Sequence, residues 1–119
     1  MTETPSPDPL ALWHAALVRS VRSRTPDLST RQMAILLAVY LTPPPHTVRG
    51  LAAELGVAKP VISRALDTLG TLGLLKRKRD ARDRRNVLVQ RTVRGAVFLS
   101  EFRDLVAAAG AAARAATAA

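Results

Sequence analysis

"TVRGLAAELGVAKPVISRALDTLGTLG", residues 47–73, sets two short apolar-periodic segments on either side of a single glycine. Helix, Gly-containing turn, helix is the outline of a helix-turn-helix. Thr47 is suited to cap a helix over Val48–Leu55, and Gly56 to the left-handed conformation of a tight exit. A second helix is expected from about Lys59 to Leu72, ended by Gly73. Pro60 is compatible with it because the first turn has no use for the missing N–H. Leu51, Leu55, Val57, Ile62 and Ala65 are apolar where two crossing helices must pack, and Ala52 is small where they approach closest.

The second of these helices has two faces. Ile62, Ala65, Leu66 and Leu69 fall on one stripe; Lys59, Pro60, Ser63, Arg64 and Asp67 fall on the other, related by steps of three and four residues. In a DNA-reading helix the outer N-terminal residues meet base edges and phosphates. Arg64 could pair bidentately with guanine, and Ser63 could exchange hydrogen bonds with bases or phosphates. An ordinary solvated helix face is the bland alternative. The basic segment just C-terminal to this helix favours the DNA-reading face.

"LKRKRDARDRRN", residues 75–86, contains seven Lys or Arg and two Asp, a density that in isolation suggests a solvated or disordered run. It is bracketed, however, by β-type runs at Leu74–Arg79 and Val87–Arg91, with the turn-forming "DARDRRN" between them. A hairpin just after a helix-turn-helix is a wing. A short strand at His46–Val48 would complete a three-stranded winged-helix sheet. Held on a stiff arm, arginines can track the phosphate backbone or enter a narrow minor groove. The two Asp are expected to hold neighbouring guanidinium groups in one orientation.

Outside this core, residues 1–8 are polar and Pro-rich and are expected to be a disordered arm. Leu10, Trp13, Leu17, Val18 and Val21 recur at helical spacing from Pro9 to about Ser23, which gives an N-terminal helix within residues 9–27. Ser29 and Gln32 have capping-box spacing for a helix that Pro43, Pro44 and Pro45 stop after Leu41. A last helix starts near Thr92 or Val93, with Val97, Phe98, Phe102, Leu105 and Val106 on one face, and is expected to fray in its Ala-rich end. The fold class is therefore mainly α with a small β-hairpin wing.

Several functions are disfavoured by what the chain contains. Lys and Arg outnumber Asp and Glu 18 to 9, so a polyanionic partner is favoured. There is no Cys, which excludes disulfides, thiolate metal sites and a Cys nucleophile. His14 and His46 have no carboxylate at ligand spacing, and no phosphate-binding Gly loop or nucleophile motif is present, so no metal, cofactor or catalytic residue is expected. One Trp, one Tyr and two Phe are too few for a single-strand stacking platform. "MAILLAVYL" (33–41) is half the length that crosses a bilayer, and the N-terminus has no signal-peptide pattern, so a cytoplasmic, nucleoid-associated protein with no membrane partner is expected.

With these features in place, "LSTRQMAILLAVYL" and "TVRGLAAELGVAKPVISRALDTLGTLGLLKRKRDARDRRNVLVQRTVRG" resemble the winged-helix core of the MarR family of bacterial transcriptional regulators, over residues 28–95. "DARDRRNVLV" is similar to that family's D-x-R-D-x-R wing, and Thr92 with Gly95 to the T-x-x-G that opens its next helix. The resemblance implies that Asp83 braces Arg85 and that Arg85 enters the minor groove; Arg79, Arg82 and Arg84 of the basic run are expected to contact DNA from the wing beside it. Lys59, Pro60, Ser63 and Arg64 would lie in the major groove. The winged-helix core has little surface left to bury Leu10, Leu17 and Val21 together with Phe98, Phe102, Leu105 and Val106, so residues 9–27 and 96–119 are expected to make a homodimer, bound to a roughly palindromic double-stranded site and expected to repress. Ala58 departs from the family at the cap of the recognition helix, where Ser or Thr is common. A small-molecule effector is compatible with the resemblance, but no residue pattern indicates one. A protein-interaction adaptor and a non-specific architectural DNA binder are the rival functions.

Overall fold

The computed structural model describes residues 6–118. Seven elements occur in order: α1 (Pro9–Arg22), α2 (Thr30–Leu41), α3 (Val48–Leu55), α4 (Lys59–Thr71), β1 (Leu75–Arg79), β2 (Val87–Arg91) and α5 (Val93–Ala118). They divide into two compact units. One comprises Leu28–Val97; the other contains α1 and the part of α5 from Phe98 onward.

In the Leu28–Val97 unit each helix boundary has a local chemical cause. Ser29 and Gln32 form a reciprocal capping box, Ser29 Oγ accepting from Gln32 N–H at 3.1 Å and Gln32 Oε1 from Ser29 N–H at 2.9 Å. Thr47 Oγ1 accepts from Gly50 N–H at 2.9 Å and starts α3. Gly56, at φ 68° and ψ 35°, ends it in the left-handed conformation that side chains disfavour. Ala58 offers α4 no side-chain cap.

The three helices α2, α3 and α4 bury Ile35, Leu36, Val39, Leu51, Ile62, Leu66 and Leu69 almost completely. At about 1.5–3 kcal/mol for each large aliphatic side chain removed from water, this cluster supplies the main driving force for the unit. Leu74, Leu75 and Val89 carry the same core into the root of the hairpin.

β1 and β2 pair antiparallel, with Leu75 opposite Arg91, Arg77 opposite Val89 and Arg79 opposite Val87. The expected third strand at His46–Val48 is reduced to one bridge between Thr47 and Leu88, in a sheet of two strands. His46 carbonyl oxygen accepts from Val89 N–H at 2.8 Å. Pro43–Pro45 cannot donate to a ladder and Val48 already belongs to α3, so only two residues are left to pair.

Tyr40 ties α2 to both ends of the hairpin. Its hydroxyl lies 3.0 Å from the Leu74 and Thr92 carbonyl oxygens and accepts from Thr92 N–H at 2.9 Å. Thr92 Oγ1 accepts from Gly95 N–H at 2.9 Å and donates to Gly73 carbonyl oxygen at 2.7 Å. A Cβ at Gly95 would collide with the Tyr40 hydroxyl and the Leu74 carbonyl oxygen, which explains the Thr-x-x-Gly spacing. Arg91 closes the other side. Its Nε and Nη2 donate to Val39 and Thr42 carbonyl oxygens at 2.9 and 3.1 Å, satisfying the last turn of α2.

In the second unit, Asp8 Oδ2 accepts from Ala11 N–H at 3.1 Å and caps α1, so this end of the expected arm has a structural role; residues 1–5 of the arm lie outside the described residues. The Ala-rich end of α5 is helical through Ala118 where composition predicts fraying. Ala109 and Ala113 are buried, and Gly110 sits where an added Cβ would touch Leu12 Cδ1 at 3.8 Å. Burial therefore adds to the intrinsic helix preference of Ala. Phe98 is buried and its ring stacks on Phe102 at 6.3 Å between centroids.

Candidate nucleic-acid interface

The outer face of α4 is set by the burial of its inner one. With Ile62, Ala65, Leu66 and Leu69 fixed in the core, Lys59, Pro60, Arg64 and Asp67 are exposed and Ser63 is partly so. Pro60 stands in the first turn, where it costs no hydrogen bond. Arg64 has no hydrogen-bond or ion-pair partner among the described residues. It lines a polar cleft of about 220 Å³ shared with Ser29, Arg31, Gln32 and Thr68. Arg31, at the start of α2, is thus a further cation beside the α4 face. Sequence reasoning misses it because nothing in the α2 pattern relates it to α4.

The wing tip is held by its own polar groups. Asp80 N–H donates to Asn86 carbonyl oxygen at 3.1 Å, and Asp80 Oδ1 accepts from Arg82 N–H at 2.9 Å. Asp83 Oδ1 accepts from Arg85 N–H at 3.1 Å and from its guanidinium Nε at 3.3 Å. The Arg85 side chain nevertheless remains 87% exposed, so it is oriented without being covered. Arg79 Nη1 donates to the Arg84 carbonyl oxygen at 3.3 Å, and Arg82 and Arg84 are exposed at the tip.

Strand parity sorts the remaining cations. Residues paired directly across the hairpin share a face, so Leu75, Arg77 and Arg79 lie with Arg91, Val89 and Val87. Leu75 and Val89 are buried, which makes this the face turned to the protein. Arg77 and Arg91 find partners on the helices there, Arg77 Nη2 meeting Asp67 Oδ1 of α4 at 2.6 Å, while Arg79, next to the tip, is exposed and reaches the Arg84 carbonyl oxygen of the wing turn. Lys76 and Lys78 lie on the opposite face and are exposed. Sequence reasoning misses the link from Asp67 to Arg77 and the capping role of Arg91, although the two-residue alternation from Leu75 gives a signal for the first.

Among the described residues no helix is long and apolar enough to cross a membrane. No curated protein sequence matches the chain. Among solved structures, the transcriptional regulator BldR from Sulfolobus solfataricus is similar at 28% identity and a TM-score of 0.62, over 82% of this chain and 68% of its own. A MarR-family transcriptional regulator from Rhodococcus sp. RHA1 is similar at 26% identity and 0.62, over 83% and 64%. The MepR–DNA complex of S. aureus shares the fold at 20% identity and 0.62, over 81% and 73%. The chain thus spans roughly two thirds of the length of such proteins. A family model described as the MarR family matches residues 27–86, from just before the capping box of α2 to the last residue of the wing turn. Together with the helix-turn-helix and its hairpin, this match establishes that the chain belongs to the MarR family of winged-helix transcriptional regulators.

Proposed function

We propose that the chain binds a roughly palindromic double-stranded DNA site as a homodimer and represses transcription by occupying that site. Each copy would place Lys59, Pro60, Ser63 and Arg64 in a major groove. Arg85, with Arg79, Arg82 and Arg84 around it, would engage the adjacent minor groove and its phosphates, Asp83 holding Arg85 in position. Residues 28–95 act as the DNA-binding module, and residues 9–27 and 96–119 as the dimerisation segments. The observation that carries this reading is the joint presentation, by one compact unit, of an Arg64 on α4 that has no partner among the described residues and a cationic tip on a hairpin rooted against that helix. MepR, which shares this fold, has been solved as a complex with DNA.

Binding to the duplex upstream of the protein's own gene, set against a scrambled duplex at several salt concentrations, tests the reading. Preference for the upstream duplex that persists as salt rises is the expected result, because base contacts survive where phosphate attraction is screened. Equal binding to both duplexes would favour an architectural role. No binding to either would favour a protein-interaction adaptor.

A further inference from the structure

Asp67 poses a problem for the α4 face. It lies one turn beyond Arg64 on the same outer stripe, three residues on, which is the spacing at which a carboxylate and a guanidinium on one helix pair. An Arg64 engaged by its own neighbour would be turned from a base edge and partly neutralised. Arg64 is instead without a partner among the described residues, and Asp67 Oδ1 is taken by Arg77 Nη2 of β1 at 2.6 Å.

We propose that Arg77 is a specificity-determining positioning residue: by holding Asp67 it keeps Arg64 available to read base pairs. This rests on the DNA-binding role of Arg64 proposed above. The geometry favours this pairing for three reasons. Arg77 shares a hairpin face with buried Leu75 and Val89, so its side chain is directed towards α4 before any ion pair forms. The pair joins the helix and the wing strand within one unit. The two side chains are 40% and 66% exposed, and ion pairs so open to water add little to folding stability. Its effect should therefore fall on recognition. Arg77, though it belongs to the basic run, contributes through Asp67 and not by touching DNA.

The test compares Arg77→Gln, Asp67→Asn/Arg77→Gln, Arg77→Lys and Arg64→Ala with wild type, each measured on the preferred and a random duplex, with thermal melting as a check on folding. Arg77→Gln leaves Asp67 to pair with Arg64 and should reduce the ratio of specific to random affinity by about fivefold or more, as expected for a disabled base contact. Removing Asp67 as well should return the ratio to within about twofold of wild type, a coupling that independent residues would not show. Arg77→Lys, which retains the charge, should keep the ratio. An unchanged ratio in Arg77→Gln, or a double variant no better than it, would overturn the proposal while leaving Arg64 as a base-reading residue. An Arg64→Ala variant that discriminates as wild type does would instead overturn the reading of α4 beneath it.

Discussion

Arg64 and Arg85 are both exposed guanidinium groups, but in the proposed complex their surroundings would suit them to different tasks. Arg64 projects from a helix whose inner stripe is locked in the core, so its backbone is fixed while its side chain is free to pair. Replacing it with Ala should relax preference at particular base pairs, at a cost of about 1–3 kcal/mol per half-site for a bidentate contact to guanine. Arg85 is oriented by Asp83 through its Nε, leaving the terminal nitrogens of the guanidinium to reach outward. Arg85→Ala should lower affinity and flatten any preference for A·T-rich flanks, where a narrow groove concentrates negative potential. Titration of both variants against a panel of single-base substitutions checks the contrast. If both bind as wild type does, the assigned surface is wrong. Residues of this kind are legible because local spacing makes them so: the caps Ser29 and Thr47, Gly56 at the turn, the outer stripe of α4. Tyr40, by contrast, gives no signal. Its role comes from meeting Leu74 and Thr92, which lie far along the chain, and a lone Tyr in an apolar helix says nothing of such partners.

For the elements, the wing shows how much period alone can decide and where it stops. The apolar flanks of the basic run point to a hairpin, and β1 and β2 pair there. Alternation implies that the strand cations cannot all face one surface, and the register with the observed pairs identifies Arg77 and Arg91 as those held against the helices. The third strand fails for a reason that local pattern cannot weigh: two extended residues between a proline run and a helix are enough for a bridge and too few for a ladder. In the proposed complex the phosphate contacts would fall to the tip. Arg82→Ala and Arg84→Ala should weaken specific and random duplex alike, each making the slope of log K against log salt shallower by about 0.9 if it neutralises one phosphate. Replacing the whole tip with Gly and Ser while the slope stayed constant would show that the wing does not touch DNA, and would favour the adaptor reading.

At the scale of the whole molecule, the open question is what covers α1. Leu10, Trp13, Leu17 and Val21 form one stripe on that helix, and they are 76%, 56%, 46% and 77% exposed. A row of large apolar side chains left in water is unusual for a soluble protein and marks an interaction surface. The sequence suggests a shared stripe from both terminal helices, but Phe98 is already buried within the chain and stacks on Phe102, so α1 carries more of the argument than α5. The second copy proposed above is a partner that would also account for DNA recognition. Two-fold pairing would give each subunit the same surface, and recognition helices reading successive turns of duplex, about 34–36 Å apart, would require a roughly palindromic site. Linking the two half-site contacts makes the second effectively intramolecular, so affinity for the full site should depend steeply on dimer formation. Trp13, the only Trp, reports on this directly. Its emission should shift to the blue as protein concentration rises and water is expelled from the stripe. Trp13→Glu with Leu17→Glu should abolish that association, since two charges would have to be buried without partners. The double variant should sediment as a monomer and bind full and half sites equally, while its Leu28–Val97 unit, which contains neither residue, keeps its half-site affinity. Wild-type protein that sediments as a monomer at tens of micromolar would refute the dimer.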